Sequence, residues 1–308
     1  MDNNSFSIIK TPFFEGKSRG VQIFLLLVTV IGGMFLFSVF GVLVAGLMYG
    51  FDMEALKTPE YASYLRIVQA FNSVGTFMIP AFIFSYLSES NWFSYGKMDK
   101  SPGYVMSNIV IVLSLVILPV VLALAEWNEA WSLPETFSGL DKWLRETDKH
   151  NNELVRVMTR DPRVSILLLN IFVLAVLPAI GEELLFRGTM QTFLQKWTKS
   201  SHWAIWITAF VFSAIHFQIS GFVPRMLIGA YLGYLFYWSG SLWLPILAHF
   251  MHNSMSLLSD YILMRRGVDV DNMGFSDIHG WQYILVIAIV LTTVGIYFLW
   301  RKRVQLRG

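Results

Sequence analysis

The feature that most constrains this chain is a run of about thirty residues, from Val21 to Phe51, without a charged side chain. A helix needs only about twenty such residues to cross the hydrocarbon core of a bilayer. A second charge-free run, Tyr283 to Trp300, is closed by Arg301, Lys302 and Arg303. Soluble domains carry about 25% charged residues; this chain carries 14%, against 55% hydrophobic. In hydrocarbon each backbone polar group must be satisfied within its own segment, so helices are the expected answer to runs of this kind. The fold class that follows is all-α, a polytopic membrane protein.

Hydrophobic segments bounded by polar or turn-forming residues predict about eight transmembrane helices. They fall near 21–50, 65–87, 104–125, 164–197, 203–218, 222–239, 242–263 and 281–300. The organisation expected is a cytoplasmic N-terminal segment at 1–20 and scaffold helices over 21–125. A polar loop follows at 126–163, then a catalytic membrane core at 164–263, then a last loop, span and basic tail at 264–308. The first span is too long for the core of a signal peptide and reads as a retained insertion signal. In the fourth segment, Pro178 and Gly181 interrupt the apolar pattern just before Glu182, which predicts a kink or a restarted helix.

Three basic residues precede the first span and four follow the last. With an even number of spans, this places both termini in the cytoplasm and the chain in a cell (inner) membrane. The 126–163 loop carries six basic and eight acidic residues, which weakens that bias. In the same loop Phe137, Leu140, Trp143 and Leu144 recur at helical spacing, as in an amphipathic helix lying at the membrane interface. A lid over a site is the alternative for this loop. The net charge is +2, and the cations sit in loops and tails, so no nucleic-acid surface is expected. The chain has no cysteine, which excludes disulfides, thiolate metal sites and a cysteine nucleophile.

Ionisable groups inside spans are costly and mark function. Three clusters stand out, on the fourth, fifth and seventh segments. In the first, Glu183 and Arg187 are four apart with the acid leading, the favourable order for a helical ion pair. Glu182 points about 100° away from that pair and has no partner on its own helix. A carboxylate so placed is suited to accept and return a proton. The second cluster ends an apolar stretch with Phe212 and His216; the third carries His249, His252 and Asn253. His249 and Asn253 share a helical face, where they could hold a water, stabilise an oxyanion or simply bond neighbouring helices. Together the clusters supply a carboxylate, two imidazoles and an amide, a set able to activate water. No His-Glu-x-x-His zinc motif, Gly-x-Ser-Gly nucleophile or Gly-x-Gly-Asp motif is present.

The ordered set Glu-Glu-x-x-x-Arg, Phe-x-x-x-His and His-x-x-x-Asn occurs here as Glu182-Glu183-Arg187, Phe212-His216 and His249-Asn253. It resembles the CAAX protease and bacteriocin-processing family, also called type II CAAX prenyl endopeptidase or Rce1-like. Gly229-x-x-x-Gly233 and the stretch from Ser239 to Ile246 look like the family too. The resemblance covers about residues 164–260. It implies an eight-helix intramembrane endopeptidase in which Glu182 and His216 activate water and His249 and Asn253 stabilise the oxyanion. Glu183 and Arg187 would brace the helix. The family is often labelled a metalloprotease. If a metal is used, zinc is the ion expected, held by Glu182, His216 and His249; otherwise the same residues act by acid–base catalysis. Eukaryotic members act on prenylated proteins and prokaryotic ones are often tied to bacteriocin or peptide processing, so the expected partners are the bilayer and a peptide or protein substrate. A transporter, or an immunity or scaffold protein, is the competing non-enzymatic reading. A transporter normally shows paired broken helices, and only one break, near Pro178, is suggested here.

Overall fold

The computed structural model of the protein describes residues 12–52, 59–89, 91–268 and 274–307. The first eleven residues of the expected N-terminal segment, and residues 269–273 of the last loop, lie outside that description. Every regular element among the described residues is a helix. In chain order the main ones are α1 (Arg19–Tyr49), α2 (Pro59–Ser88), α3 (Tyr104–Val116), α4 (Leu118–Glu129), α5 (Ser138–Thr159) and α6 (Val164–Thr198). They continue as α7 (Ser201–Ala214), α8 (Phe222–Ser239), α9 (Trp243–Arg265) and α10 (Trp281–Arg307).

Helices occupy all eight expected segments of this all-α polytopic membrane protein, and they differ in how plainly length and composition alone mark them as membrane-crossing. Four meet that standard: α1, α2, α6 and α10. Counting α3 and α4 as one span gives five; they meet at a 45° bend. Pro119, at the start of α4, brings no N–H to the preceding turn, which accounts for the bend. At 14 residues, α7 rises only about 21 Å, short of a hydrocarbon core about 30 Å thick. The helices α8 and α9 are long enough but carry inward-facing polar and small residues that lower their hydropathy.

The apolar exteriors mark the lipid side. Phe35 and Leu47 of α1, and Tyr283 and Val286 of α10, are exposed. Inside, one cluster joins Leu184, Phe186, Phe212, Phe236, Leu242 and Ile246. Another joins Met106, Val110, Leu235, Leu244 and Leu299. Thus α6 to α9 form the centre, with α2 against one side and α3 and α10 against the other. Between spans there is little hydrophobic driving force, so close contact of small residues matters more than in water. At the α1–α2 crossing, a Cβ added to Gly75 would stand 2.2 Å from the Cβ of Phe37 and 2.6 Å from the Gly33 carbonyl oxygen. Only hydrogen fits there.

Of the kink or restart expected in the fourth segment, the restart does not occur: α6 runs as one helix of 35 residues. It contains two wide turns, Phe172–Val176 and Leu184–Gln191. In the first, the Leu177 N–H reaches back to the Phe172 carbonyl, and this loosened turn accommodates Pro178 without ending the helix. Gly181 also has a packing reason, since an added Cβ would come within 3.1 Å of the Cβ of Phe77 on α2. A further departure concerns Arg66, at the edge of the second expected span. It is buried in α2, where Nε donates to Asn170 Oδ1 at 2.7 Å and Nη2 donates to the Met158 carbonyl.

Candidate active site

The wide turn from Leu184 begins immediately after the two glutamates, and wide turns of this kind are frequent at functional sites. Glu182 and Glu183 leave α6 in different directions. Glu183 is fully enclosed, and its Oε1 accepts from Arg187 Nη1 at 2.7 Å. Arg187 also donates from Nη2 to the Gly229 carbonyl at 2.8 Å, and one turn on, Gln191 Nε2 donates to the Gly233 carbonyl at 3.0 Å. The Gly229-x-x-x-Gly233 spacing thus lets two long polar side chains of α6 reach backbone oxygens of α8. A Cβ on Gly233 would stand 2.9 Å from Gln191 Oε1.

The same Glu183 Oε1 accepts from His249 Nδ1 at 2.8 Å. Sequence reasoning assigned Glu183 only to Arg187; its second partner lies 66 residues away and left no signal in local spacing. The bond orients the imidazole so that Nε2 points toward Glu182, whose Oε2 is 3.9 Å away. That gap is too wide for a hydrogen bond and leaves space for a molecule touching both. Glu182 makes no hydrogen bond among the described residues.

Beyond α7 the chain turns, and His216 sits in that turn, not in the helix. Its Nδ1 is 2.8 Å from the Phe212 carbonyl. A carbonyl only accepts, so Nδ1 carries the proton and, in the neutral ring, Nε2 keeps a lone pair. The Phe212 ring is packed among the site's polar groups. Ring centres of His216 and His249 lie 5.4 and 6.0 Å from it, and the Arg187 guanidinium carbon lies 4.8 Å from its centroid. The phenylalanine of the second motif therefore positions three polar groups.

Asn253 Nδ2 approaches the Leu174 carbonyl at 3.5 Å. This oxygen lies one turn before Pro178, the residue with no N–H to offer. The amide's second hydrogen remains available. Glu182, His216, His249 and Asn253, all named from sequence, line one cavity of about 380 Å³. Glu183 and Arg187 stand behind its wall. His252 and Arg225 line it as well. Arg225 went unnoticed in the sequence because it lies in a loop-proximal turn of α8, where a cation looks like a boundary signal.

The 126–163 loop contributes to the site's outer side. Asp148 of α5 is buried, and its Oδ2 accepts from the Ser220 backbone N–H at 3.1 Å and from the Ser220 hydroxyl. Trp143 meets Phe217 edge to face at 5.7 Å. Both contacts hold the turn that bears His216. Phe137, Leu140 and Val155 are meanwhile exposed, as suits an amphipathic helix at a membrane interface. Helix α5 thus combines an exposed apolar side with a buried acid holding the site loop.

Among the described residues, no three His, Cys, Asp or Glu side chains are arranged to hold a metal ion. Two ligands each about 2.05 Å from a tetrahedral zinc would stand about 3.3 Å apart, closer than the 3.9 Å between His249 Nε2 and Glu182 Oε2. As placed, these two side chains stand farther apart than two ligands of one zinc ion.

Residues 164–255 match the family described as type II CAAX prenyl endopeptidase Rce1-like. This segment resembles that family. It contains all three motifs and every residue of the cavity named above except Val121 and Ala125, which also line it. A relative in Bacillus subtilis (strain 168), the uncharacterized protein YpbD, is 34% identical over 86 residues. The matched part is 27% of this chain and 41% of that relative, so the chain spans less than half of the relative's length. No solved structure matches the chain. The matched segment supplies α6 to most of α9, while α1 to α5 and α10 form the surrounding framework.

Proposed function

We propose that this protein is an intramembrane endopeptidase that hydrolyses peptide bonds of membrane-associated substrates by activating water, without routing any step through a metal. The observation that carries the reading is the Glu182 carboxylate, free of hydrogen bonds in a cavity whose other polar lining includes His216, His249 and Asn253. Its match to a family of CAAX endopeptidases supports the same chemistry.

In this reading, Glu182 and the lone pair of His216 Nε2 are the two acceptors that hold water and take its proton as the oxygen attacks the peptide carbonyl carbon. The developing oxyanion receives an N–H from Asn253 and, when His249 is protonated, another from His249 Nε2. Glu183 holds Nδ1 of that ring and Arg187 holds Glu183. As the intermediate collapses, the C–N bond breaks and Glu182 returns the proton to the leaving amine. The substrate class is a peptide or protein held at the bilayer, with prenylated and bacteriocin-like chains as the two kinds to try.

The test is cleavage of a quenched fluorescent peptide library by purified protein in liposomes, with and without a strong zinc chelator. Turnover is expected in both conditions and absent from Glu182→Gln. Full turnover by Glu182→Gln would remove the assigned base, and loss of turnover on chelation, restored by zinc, would overturn the metal-free chemistry.

A further inference from the structure

The cavity contains a cation that the hydrolytic chemistry does not use. Arg225, in the first turn of α8, lines it together with Glu182 and His216. Its Nη2 donates to Gln218 Oε1 at 2.6 Å, but Gln218 is neutral. Its Nη1 is shielded from solvent and has no hydrogen-bond partner. The two acids whose charge it feels, Asp148 of α5 and Glu182, make no ion pair with it, and Asp148 is occupied by Ser220. Among the described residues no carboxylate lies within ion-pair distance of the Arg225 guanidinium.

Arg187 is the useful contrast. It is equally cationic but fully enclosed, with the Glu183 carboxylate at 2.7 Å, so its charge is neutralised within the fold. Arginine stays protonated, and a shielded guanidinium with no carboxylate in direct contact is costly. A ligand that brings the missing anion removes that cost. The fork of a guanidinium matches a carboxylate in two-point geometry. Room has been left for it: a Cβ on Gly221 would stand 2.8 Å from Nη2 and 3.3 Å from the guanidinium carbon.

We propose that Arg225 is a specificity-determining residue that binds a carboxylate of the peptide substrate inside the cavity that holds Glu182. This rests on the endopeptidase reading for the identity of the ligand. Two sources supply the same chemistry, the C-terminal carboxylate of the peptide or an acidic side chain near the bond to be cut. On the other side of the cavity, Val121, Ala125 and Ile228 present an apolar wall, so the preferred peptide combines one carboxylate with aliphatic neighbours.

The experiment reads binding, not turnover, on the Glu182→Gln protein in nanodiscs. The probe is an N-terminally labelled pentapeptide of alanine and leucine. It is made with a free C-terminal carboxylate, as the C-terminal amide, and as the amide carrying one glutamate; affinity is read by fluorescence anisotropy. At least one carboxylate form is expected to bind about 10- to 100-fold more tightly than the plain amide. Whichever form does so identifies the source. Adding Arg225→Ala should erase the difference, and Arg225→Lys should keep part of it. Equal binding of all three peptides by the parent protein would overturn the proposal, as would an unchanged preference in a folded Arg225→Ala protein. Should Arg225→Ala not fold, Gly221→Ala crowds the guanidinium while keeping its charge. A preference reduced at least threefold there supports the proposal, and an undiminished one overturns it. Because no bond need break, failure of the unmodified protein to cleave peptides would sink the endopeptidase reading separately.

Discussion

Glu183 Oε1 stands 2.8 Å from His249 Nδ1 and 2.7 Å from Arg187 Nη1, so one carboxylate oxygen joins α6 to α9 and neutralises a buried guanidinium. Its neighbour Glu182 has no such partner. Adjacent in sequence, the two acids therefore have opposite consequences when replaced.

Glu183→Gln is expected to destabilise the fold by about 3–5 kcal/mol, since it strands the buried Arg187 charge. Glu182→Gln is expected to change stability by less than about 1 kcal/mol, because no hydrogen bond is lost. Unfolding in mixed micelles titrated with sodium dodecyl sulfate measures both. Equal losses in the two variants would contradict the division of roles.

Asp148→Ala removes the acceptor that ties α5 to the Ser220 turn. The turn bearing His216 then keeps Trp143 against Phe217 and the Arg225–Gln218 bond. Peptide turnover is expected to fall about 10- to 100-fold through kcat, because misplacing a catalytic group by about 1 Å can cost that much. Amide exchange at Ser220 should quicken while that of α6 stays slow. Unchanged exchange at Ser220 would show that the clamp does not operate.

Gly75→Ala places a methyl group where 2.2 Å separates the new Cβ from that of Phe37. Overpacking of this sort is expected to cost about 1–3 kcal/mol. The effect should localise to the α1–α2 crossing, so a cysteine introduced at the exposed Phe35 is expected to label at an unchanged rate while one at Phe37 labels faster. An alanine variant as stable as the parent would mean that the helices separate at no cost.

The basic residues at both ends, Lys17 before the first helix, Arg19 at its start, and Arg301, Lys302 and Arg303 in the last, lead us to expect both termini on the cytoplasmic face. A reporter active only in the cytoplasm, fused to each end in turn, should be active in both fusions. Activity at one end alone would require an odd number of crossings.

Much of this architecture is written in local patterns. The run from Val21 to Phe51 demands a lipid-facing helix whatever surrounds it, because exposed backbone polar groups cannot be tolerated in hydrocarbon. The motif residues Glu182, His216, His249 and Asn253 were legible because polar groups in apolar segments are costly and therefore conspicuous. Pro178 was only partly informative. Its missing N–H is a local fact, but whether a helix breaks there depends on the wide turn before it and on packing by α2. Hydrophobic periodicity found all eight helical segments, but it does not distinguish a lipid-exposed rod from a short or polar helix enclosed by others.

The sequence by itself determined the helical membrane class, the identity of the polar residues inside it and the Glu183–Arg187 pairing, all of which follow from properties within a few residues of one another. Only the tertiary structure decided that Glu183 also holds His249, that Asp148 anchors the turn of His216 and that Arg225 faces the cavity with no carboxylate in ion-pair contact. These relationships join residues dozens of positions apart, and their strength depends on distances of about 3 Å that helix packing alone sets.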